Sequence, residues 1–330
     1  MFPDGIGGII SPPRRHKEAN MAKLVSFVVP VFNEADNINE FYKHLTAVMA
    51  KELYDYELIF VDDGSRDATP VLINALVEKD QRVQGYIFSR NFGHQRALTC
   101  GMDAAAGDAV ITMDGDLQHP PELVPKLLRL WENGYEIVQT IRKATEDASF
   151  FKNITSSVYY KLINALSDMR ITPGGSDFRL LDKKAVVAFR LFRERARFIR
   201  GLINNMGFKY TTLEFIAPPR FAGKSKYNLS KMLHFALDGI TAFSNVPLRF
   251  AFYLGCILGC GSILLLFHVI YVKYIIEDAV PGWTTLAVSV LFLGGVQLVG
   301  IGIVGEYVGR IFEEVKQRPL YIIREHLVKK

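Results

Sequence analysis

The sequence predicts an α/β domain on a mostly parallel sheet, joined to amphipathic interfacial helices and a two-helix transmembrane hairpin. Three observations carry this. Between Leu24 and Arg142, short β-branched runs alternate with helix-period segments, the pattern of a parallel sheet covered on both faces. Polar clusters stand where three of those runs end: Asn33-Glu34, Asp62-Asp63-Gly64-Ser65 and Asp114-Gly115-Asp116. The last third of the chain holds two apolar stretches of about bilayer length with a short connector between them.

Residues 1–22 read as a flexible leader. They carry Gly, Pro and the basic Arg14-Arg15-His16-Lys17 but lack the apolar core of a signal peptide, and Met21 is an alternative start. A catalytic domain is expected over 23–228. Leu24–Val31 is its first strand, and Asn33–Asn37 supplies caps for a helix that puts Ile38, Phe41, Leu45 and Val48 on one face. Tyr56–Val61 is the second strand, followed by a helix through Val71–Lys79 and a third strand at Val83–Phe88. Gln95–Ala106 is a helix, Asp108–Met113 a strand, and Arg142, in Val138–Arg142, falls just past another short strand. Ligands of such sheets bind at the carboxyl ends of the strands, where the three polar clusters fall.

Strand alternation puts Asp114 and Asp116 on one side. Two carboxylates held together repel unless a cation lies between them, and hard oxygen ligands suit Mg²⁺ or Mn²⁺, which also bind substrate phosphates. An isolated Asp-x-Asp is also what a solvated acidic turn carries; the coincidence of three polar strand ends favours a site. The chain has no P-loop, and its first turn lacks Gly-x-Gly-x-x-Gly. A bound diphosphate must then be held by metal and by basic side chains such as Arg142, Lys224 and Lys226, the last two in the basic loop Arg220–Tyr227. A net charge of +5 does not imply nucleic acid, and Cys100, Cys256 and Cys260 make neither a disulfide framework nor a CxxC pair.

Two segments follow helical amphipathic spacing, at about 150–167 and at 229–245, and can lie either on a core or on lipid headgroups. The region 246–308 holds two transmembrane helices, at about 248–271 and 286–305. The basic tail 309–330 shares a side with the catalytic domain, which the positive-inside rule places in the cytoplasm. Gly255-x-x-x-Gly259 and Gly305-x-x-x-Gly309 permit close helix approach, consistent with a homo-oligomer.

Taken together, Val29-Pro30-Val31-Phe32-Asn33-Glu34, Val61-Asp62-Asp63-Gly64-Ser65-Arg66-Asp67, Ser89-Arg90-Asn91-Phe92-Gly93, Met113–Glu122, Gly175-Ser176-Asp177-Phe178-Arg179 and Gly223-Lys224-Ser225-Lys226-Tyr227 carry a resemblance. In order and spacing the chain resembles the family 2 glycosyltransferases of GT-A fold. Within them it is most similar to the polyprenyl-phosphate glycosyltransferases, over roughly Leu24–Ile323. The resemblance implies that Pro30, Phe32 and Glu34 line the base and ribose of a nucleotide sugar, with Asp62 and Asp63 in contact with them. It implies a metal set of Asp114, Asp116 and Gln118, with Asp116 bridging to the diphosphate through Mg²⁺ or Mn²⁺. Arg142, Lys224, Lys226 and Arg220 would neutralise phosphates, and Asp177 matches the acidic position near the acceptor. The activity implied is inverting transfer, probed first with UDP-glucose and alternatively with GDP-mannose, onto a polyprenyl phosphate at the cytoplasmic face of a bacterial plasma membrane. A phosphate monoester is mostly dianionic at neutral pH, so Asp177 is expected to orient rather than to abstract a proton. A processive polysaccharide synthase is disfavoured because Gln139-Thr140-Ile141-Arg142 is followed by Lys143, not Trp. A non-catalytic nucleotide-sugar sensor would not need the acid on the acceptor side.

Overall fold

The computed structural model describes residues 22–143, 174–195, 197–216, 246–271 and 282–329. The leader 1–21, both amphipathic segments, and the loop with Arg220, Lys224 and Lys226 lie outside the described residues. The elements are β1 (Leu24–Val31), α1 (Ala35–Met49), β2 (Asp55–Asp62), α2 (Thr69–Lys79), β3 (Val83–Phe88), α3 (His94–Ala104), β4 (Ala109–Thr112), α4 (Val124–Glu132) and β5 (Ile137–Arg142). They continue with β6 (Gly175–Asp182), α5 (Lys183–Phe189), α6 (Ile199–Asn205), β7 (Tyr210–Phe215), α7 (Val246–Tyr271), α8 (Trp283–Val315) and β8 (Ile323–Leu327).

The strands form one sheet in the order β7-β5-β6-β4-β1-β2-β3-β8. β4, β1, β2 and β3 are parallel to one another, and β6 runs antiparallel beside β4. β1 is buried along nearly its whole length because both faces are covered. On one side Phe27 and Val29 pack with Phe41 and Leu45 of α1, Ile73 of α2 and Leu127 of α4. On the other, Val28 packs with Leu98 of α3, Phe189 of α5 and Leu202 of α6. Gly101 lets α3 lie directly on β1, since a Cβ there would stand 2.2 Å from Val28 Cγ1.

Three expectations are corrected. The start of α1 has no side-chain cap from Asn33–Asn37; its first amides go to the next turn instead, Glu34 N–H to Thr69 Oγ1 (3.0 Å) and Ala35 N–H to Asp67 Oδ2 (3.2 Å). β4 stops at Thr112, so Asp114 and Asp116 lie in the loop beyond it and strand alternation does not align them. The tail is not merely basic: α8 runs to Val315, and Ile323–Leu327 adds to the open edge of β3 as an antiparallel strand. Pairing between strands so far apart in the sequence leaves no local signature, whereas the α8 extension is supported by the Glu306–Arg310 and Glu313–Lys316 ion pairs along the helix.

α7 and α8 pack on one another. Within them Phe292–Val315 is long and apolar enough to cross a membrane, and Leu248–Leu258 is a shorter apolar stretch.

Candidate active site

Parallel β1, β2 and β4 end at the same edge of the sheet, and antiparallel β6 begins there. The topology therefore gathers residues from positions 30–34, 62–65, 114–119 and 176–179. A cleft at this edge is lined by Pro30, Phe32, Glu34, Asp63, His94, Asp114 and Asp116, among others. Pro30, Phe32, Glu34 and Asp63 are residues expected to hold the nucleotide sugar, and Asp114 and Asp116 are expected metal ligands. His94 was not foreseen.

Each wall has a local cause. Asp63 accepts from the amides of Phe92 (2.6 Å) and Gly93 (2.9 Å), which fixes the β3–α3 loop against the end of β2. Burial raises the pKa of Asp63, and those two amides oppose the shift. Gly64, at φ 73°, lets this happen: a Cβ there would lie 2.5 Å from the Arg90 carbonyl carbon. Asp62 is fully buried and is turned onto its own loop, where both oxygens accept from Ser65 N–H at 3.2 Å. Burial raises its pKa too. It shapes the turn that presents Asp63 and is not among the cleft-lining residues.

The acidic loop is organised by His119. Asp114 N–H donates to His119 Nδ1 at 2.8 Å, while His119 Nε2 lies 2.7 Å from Ser176 Oγ. Nδ1 is thus the acceptor of the Asp114 amide, and the tautomer that fits this places the hydrogen on Nε2, facing Ser176 Oγ. The ring stacks on Phe178 at 5.3 Å. Gln118 N–H donates to Asp116 Oδ1 at 3.1 Å. Arg142, from the end of β5, reaches Gln118 Oε1 at 3.3 Å, so a phosphate-binding candidate and a metal-ligand candidate meet across 24 positions.

Asp177 lies beside His94, outside the cleft lining. It is buried and accepts from Arg179 Nη2 (2.6 Å), Arg200 Nε (3.0 Å) and Arg200 Nη2 (3.0 Å). Burial alone would raise its pKa. The His94 hydrogen bond and the charges of Arg200 and Arg179 more than reverse that and hold it well below the usual carboxylate range. His94 Nε2 stands 3.5 Å from Asp114 Oδ1 and 3.6 Å from Asp177 Oδ2. Its enclosure lowers its pKa, but Asp177 and Asp114 raise it further, for a net upward shift. Burial pulls the pKa of Arg179 down to about 10, so it stays charged at neutral pH.

Asp114 Oδ1 is shielded from solvent and makes no hydrogen bond, with His94 Nε2 3.5 Å away. No cluster of three His, Cys, Asp or Glu residues suited to a metal occurs among the described residues. Two carboxylates fit Mg²⁺ or Mn²⁺, which complete their shells with substrate phosphates and water rather than with a protein cage.

His94, His119, Arg179 and Arg200 were not identified from the sequence. Arg179 and His119 stand inside the motifs Gly175–Arg179 and Met113–Glu122. Arg200 carries no local signal: an arginine in an amphipathic segment reads as a solvated face until the fold brings it to Asp177.

The model of the family "Glycosyl transferase family 2" matches residues 26–189. The chain is 42% identical over 300 residues to the glycosyltransferase YkcC of Bacillus subtilis, covering 91% of this chain and 93% of that protein. It is 42% identical over 301 residues to the SfII prophage-derived bactoprenol glucosyl transferase of Shigella flexneri, covering 91% of this chain and 97% of the relative. Among solved structures, glucosyl-3-phosphoglycerate synthase of Mycobacterium tuberculosis is 18% identical with a TM-score of 0.44, over 66% of this chain and 77% of that one. With the acid-lined cleft at the carboxyl edge of a mostly parallel sheet, and relatives matched along nearly their whole length, the chain belongs to glycosyltransferase family 2.

Proposed function

We propose that this protein transfers glucose from UDP-glucose to a polyprenyl phosphate with inversion at the anomeric carbon, releasing UDP and leaving a polyprenyl-phosphate glucose in the membrane. The observation that carries this reading is likeness to bactoprenol glucosyl transferases across 91% of the chain. The cleft supplies compatible chemistry.

In this reading Pro30, Phe32, Glu34 and Asp63 hold the base and ribose. Asp114 and Asp116, with Gln118 as third candidate, would hold Mg²⁺ or Mn²⁺. When bound, that ion neutralises charge on the departing diphosphate. Arg142 shares this task, and Arg220, Lys224 and Lys226 are assigned to it from the sequence. A phosphate oxygen of the acceptor attacks C1 from the face opposite the diphosphate. The C1–O bond to the diphosphate breaks, and its electron pair leaves with UDP. A phosphate monoester with a second pKa of about 6 is already largely dianionic, so no base is required. Asp177, ionised and held by two arginines, is poorly suited to take a proton. It fixes Arg200 and Arg179 at the acceptor side, where their charge attracts the acceptor phosphate.

The membrane placement belongs to the same proposal. α7 and α8 form the transmembrane hairpin, and about 50 Å of α8 is enough to cross the bilayer and return to the catalytic domain. Arg195 N–H donates to Glu314 Oε1 at 2.6 Å, which ties the end of α8 to that domain. The domain and tail then share the cytoplasmic face, and helix-face glycines such as Gly305 and Gly309 suit a homo-oligomer.

The test is an assay of purified protein with polyprenyl phosphate and a panel of labelled nucleotide sugars, with Mg²⁺ or Mn²⁺ against EDTA. Labelled lipid from UDP-glucose alone, lost with EDTA and in Asp116→Ala, supports the proposal. Product only from GDP-mannose would reassign the donor, and no product with tight nucleotide binding would favour the sensor.

A further inference from the structure

We propose that the strand after the membrane helices positions the donor cleft, with Tyr321 acting on the β3–α3 loop as a positioning residue. This rests on the reading of the cleft as a nucleotide-sugar pocket. Past α8 the chain turns at Gln317, where φ is 45°. Tyr321 then lies flat on Phe88, ring centroids 5.3 Å apart and planes within 6°. Its hydroxyl donates to Asp103 Oδ2 at 2.9 Å, an oxygen that also accepts from Arg193 Nη1 at 2.7 Å. Ser89 N–H donates to the Ile322 carbonyl at 3.0 Å, and His326 stacks on Tyr86 at 4.2 Å.

The ring and backbone contacts fall on Tyr86–Ser89, while the Tyr321 hydroxyl reaches Asp103 on α3, and the residues after Ser89 build a wall of the cleft. Phe88 meets Phe92 edge-on at 5.7 Å. The amides of Phe92 and Gly93 hold Asp63, and His94 opens α3 into the cleft. Two amides can converge on one carboxylate only while the loop that carries them is anchored at both ends. α3, seated on β1 through Gly101, anchors one end; the tail anchors the other. Without β8 the edge of β3 is unpaired, and a loop after a frayed edge strand opens more often. The tail therefore links the end of α8 to donor binding.

Hydrogen exchange on the detergent-solubilised full chain tests this, with Tyr321→Ala, Tyr321→Phe and calorimetric UDP affinity. In Tyr321→Ala, peptides over 88–96 should exchange about tenfold faster while β1 and β4 keep their protection. UDP affinity should fall by about tenfold, since local opening reduces the binding-competent fraction. Tyr321→Phe keeps the ring stack, and Asp103 keeps Arg193, so both readouts should return to within about twofold of the parent. Unchanged protection at 88–96 in Tyr321→Ala overturns the proposal, as does a loss spread equally over β1 and β4. If the loop loosens but no form of the chain binds UDP, wild type included, the coupling stands and the donor reading fails.

Discussion

Arg200 reaches across 23 positions to grip Asp177 with two nitrogens, Nε on Oδ1 and Nη2 on Oδ2, each at 3.0 Å. Arg179 takes Oδ1 from within the sheet at 2.6 Å. A carboxylate used this way is a strut. Asp177→Asn would leave two guanidinium groups against a neutral amide, and breaking a buried charged arrangement costs about 3 kcal/mol. The expected outcome is a lower melting temperature together with glucolipid formation reduced roughly 10²-fold. Arg200→Lys, which loses the two-nitrogen grip but keeps the charge, should retain more stability than Asp177→Asn and still lose turnover.

The pH profile separates a strut from a base. The folded pKa of Asp177 lies well below its ordinary value. Its contribution to stability is thus complete above about pH 3.9 and is lost only as pH falls through the folded value. Across neutral pH it has no proton to exchange. The expected acid limb of kcat/KM, near pH 6, belongs to the acceptor phosphate and should persist in the residual activity of Asp177→Asn. A limb abolished by that substitution would make Asp177 the proton acceptor.

Metal affinity should depend on nucleotide. Asp114 and Asp116 line one cleft, yet the described residues hold no three-residue cage. Mn²⁺ titrated into the chain and followed by electron paramagnetic resonance should bind weakly alone, and about tenfold or more tightly with UDP present. Asp116→Ala should remove the UDP-dependent component. Equally tight binding without UDP would point to a ligand set other than this one.

His119 offers a second way to disturb the metal carboxylates without touching them. His119→Phe preserves the stack on Phe178 but removes the acceptor of Asp114 N–H and the donor to Ser176. Loss of such an outer partner should weaken UDP-dependent Mn²⁺ binding about tenfold with little change in melting temperature. A normal Mn²⁺ titration in this variant would show that the acidic loop holds its shape without the ring.

The seat of α3 predicts a packing effect. Gly101→Ala places a methyl group 2.2 Å from Val28 Cγ1, an overlap that should cost about 1–3 kcal/mol in thermal unfolding. Val28→Ala in the same chain should return part of the loss, because the two sites share one contact. Additive destabilisation would mean that α3 shifts as a whole.

Much of the fold was legible because period and polarity are local. The runs at Leu24–Val31 and Val83–Phe88 match β1 and β3 to the residue, and burial of β1 on both faces is why it is a nearly continuous apolar run. The polar strand ends Glu34, Asp63 and Asp114 could be placed at one edge because parallel strands must all end there. Strand pleat does not align Asp114 with Asp116: β4 ends at Thr112, and His119 orders the loop.

What the chain determined by itself was the alternation of elements, the acid clusters at the strand ends, and two apolar helices after the catalytic domain. Only the tertiary structure decided the partners of those acids. Arg200 meets Asp177, His94 stands between Asp114 and Asp177, and Tyr321 reaches Asp103 across 218 positions. The physical reason is range. Periodicity and capping act over a few residues, while an ion pair or an added edge strand joins segments whose separation in sequence leaves no mark on either one.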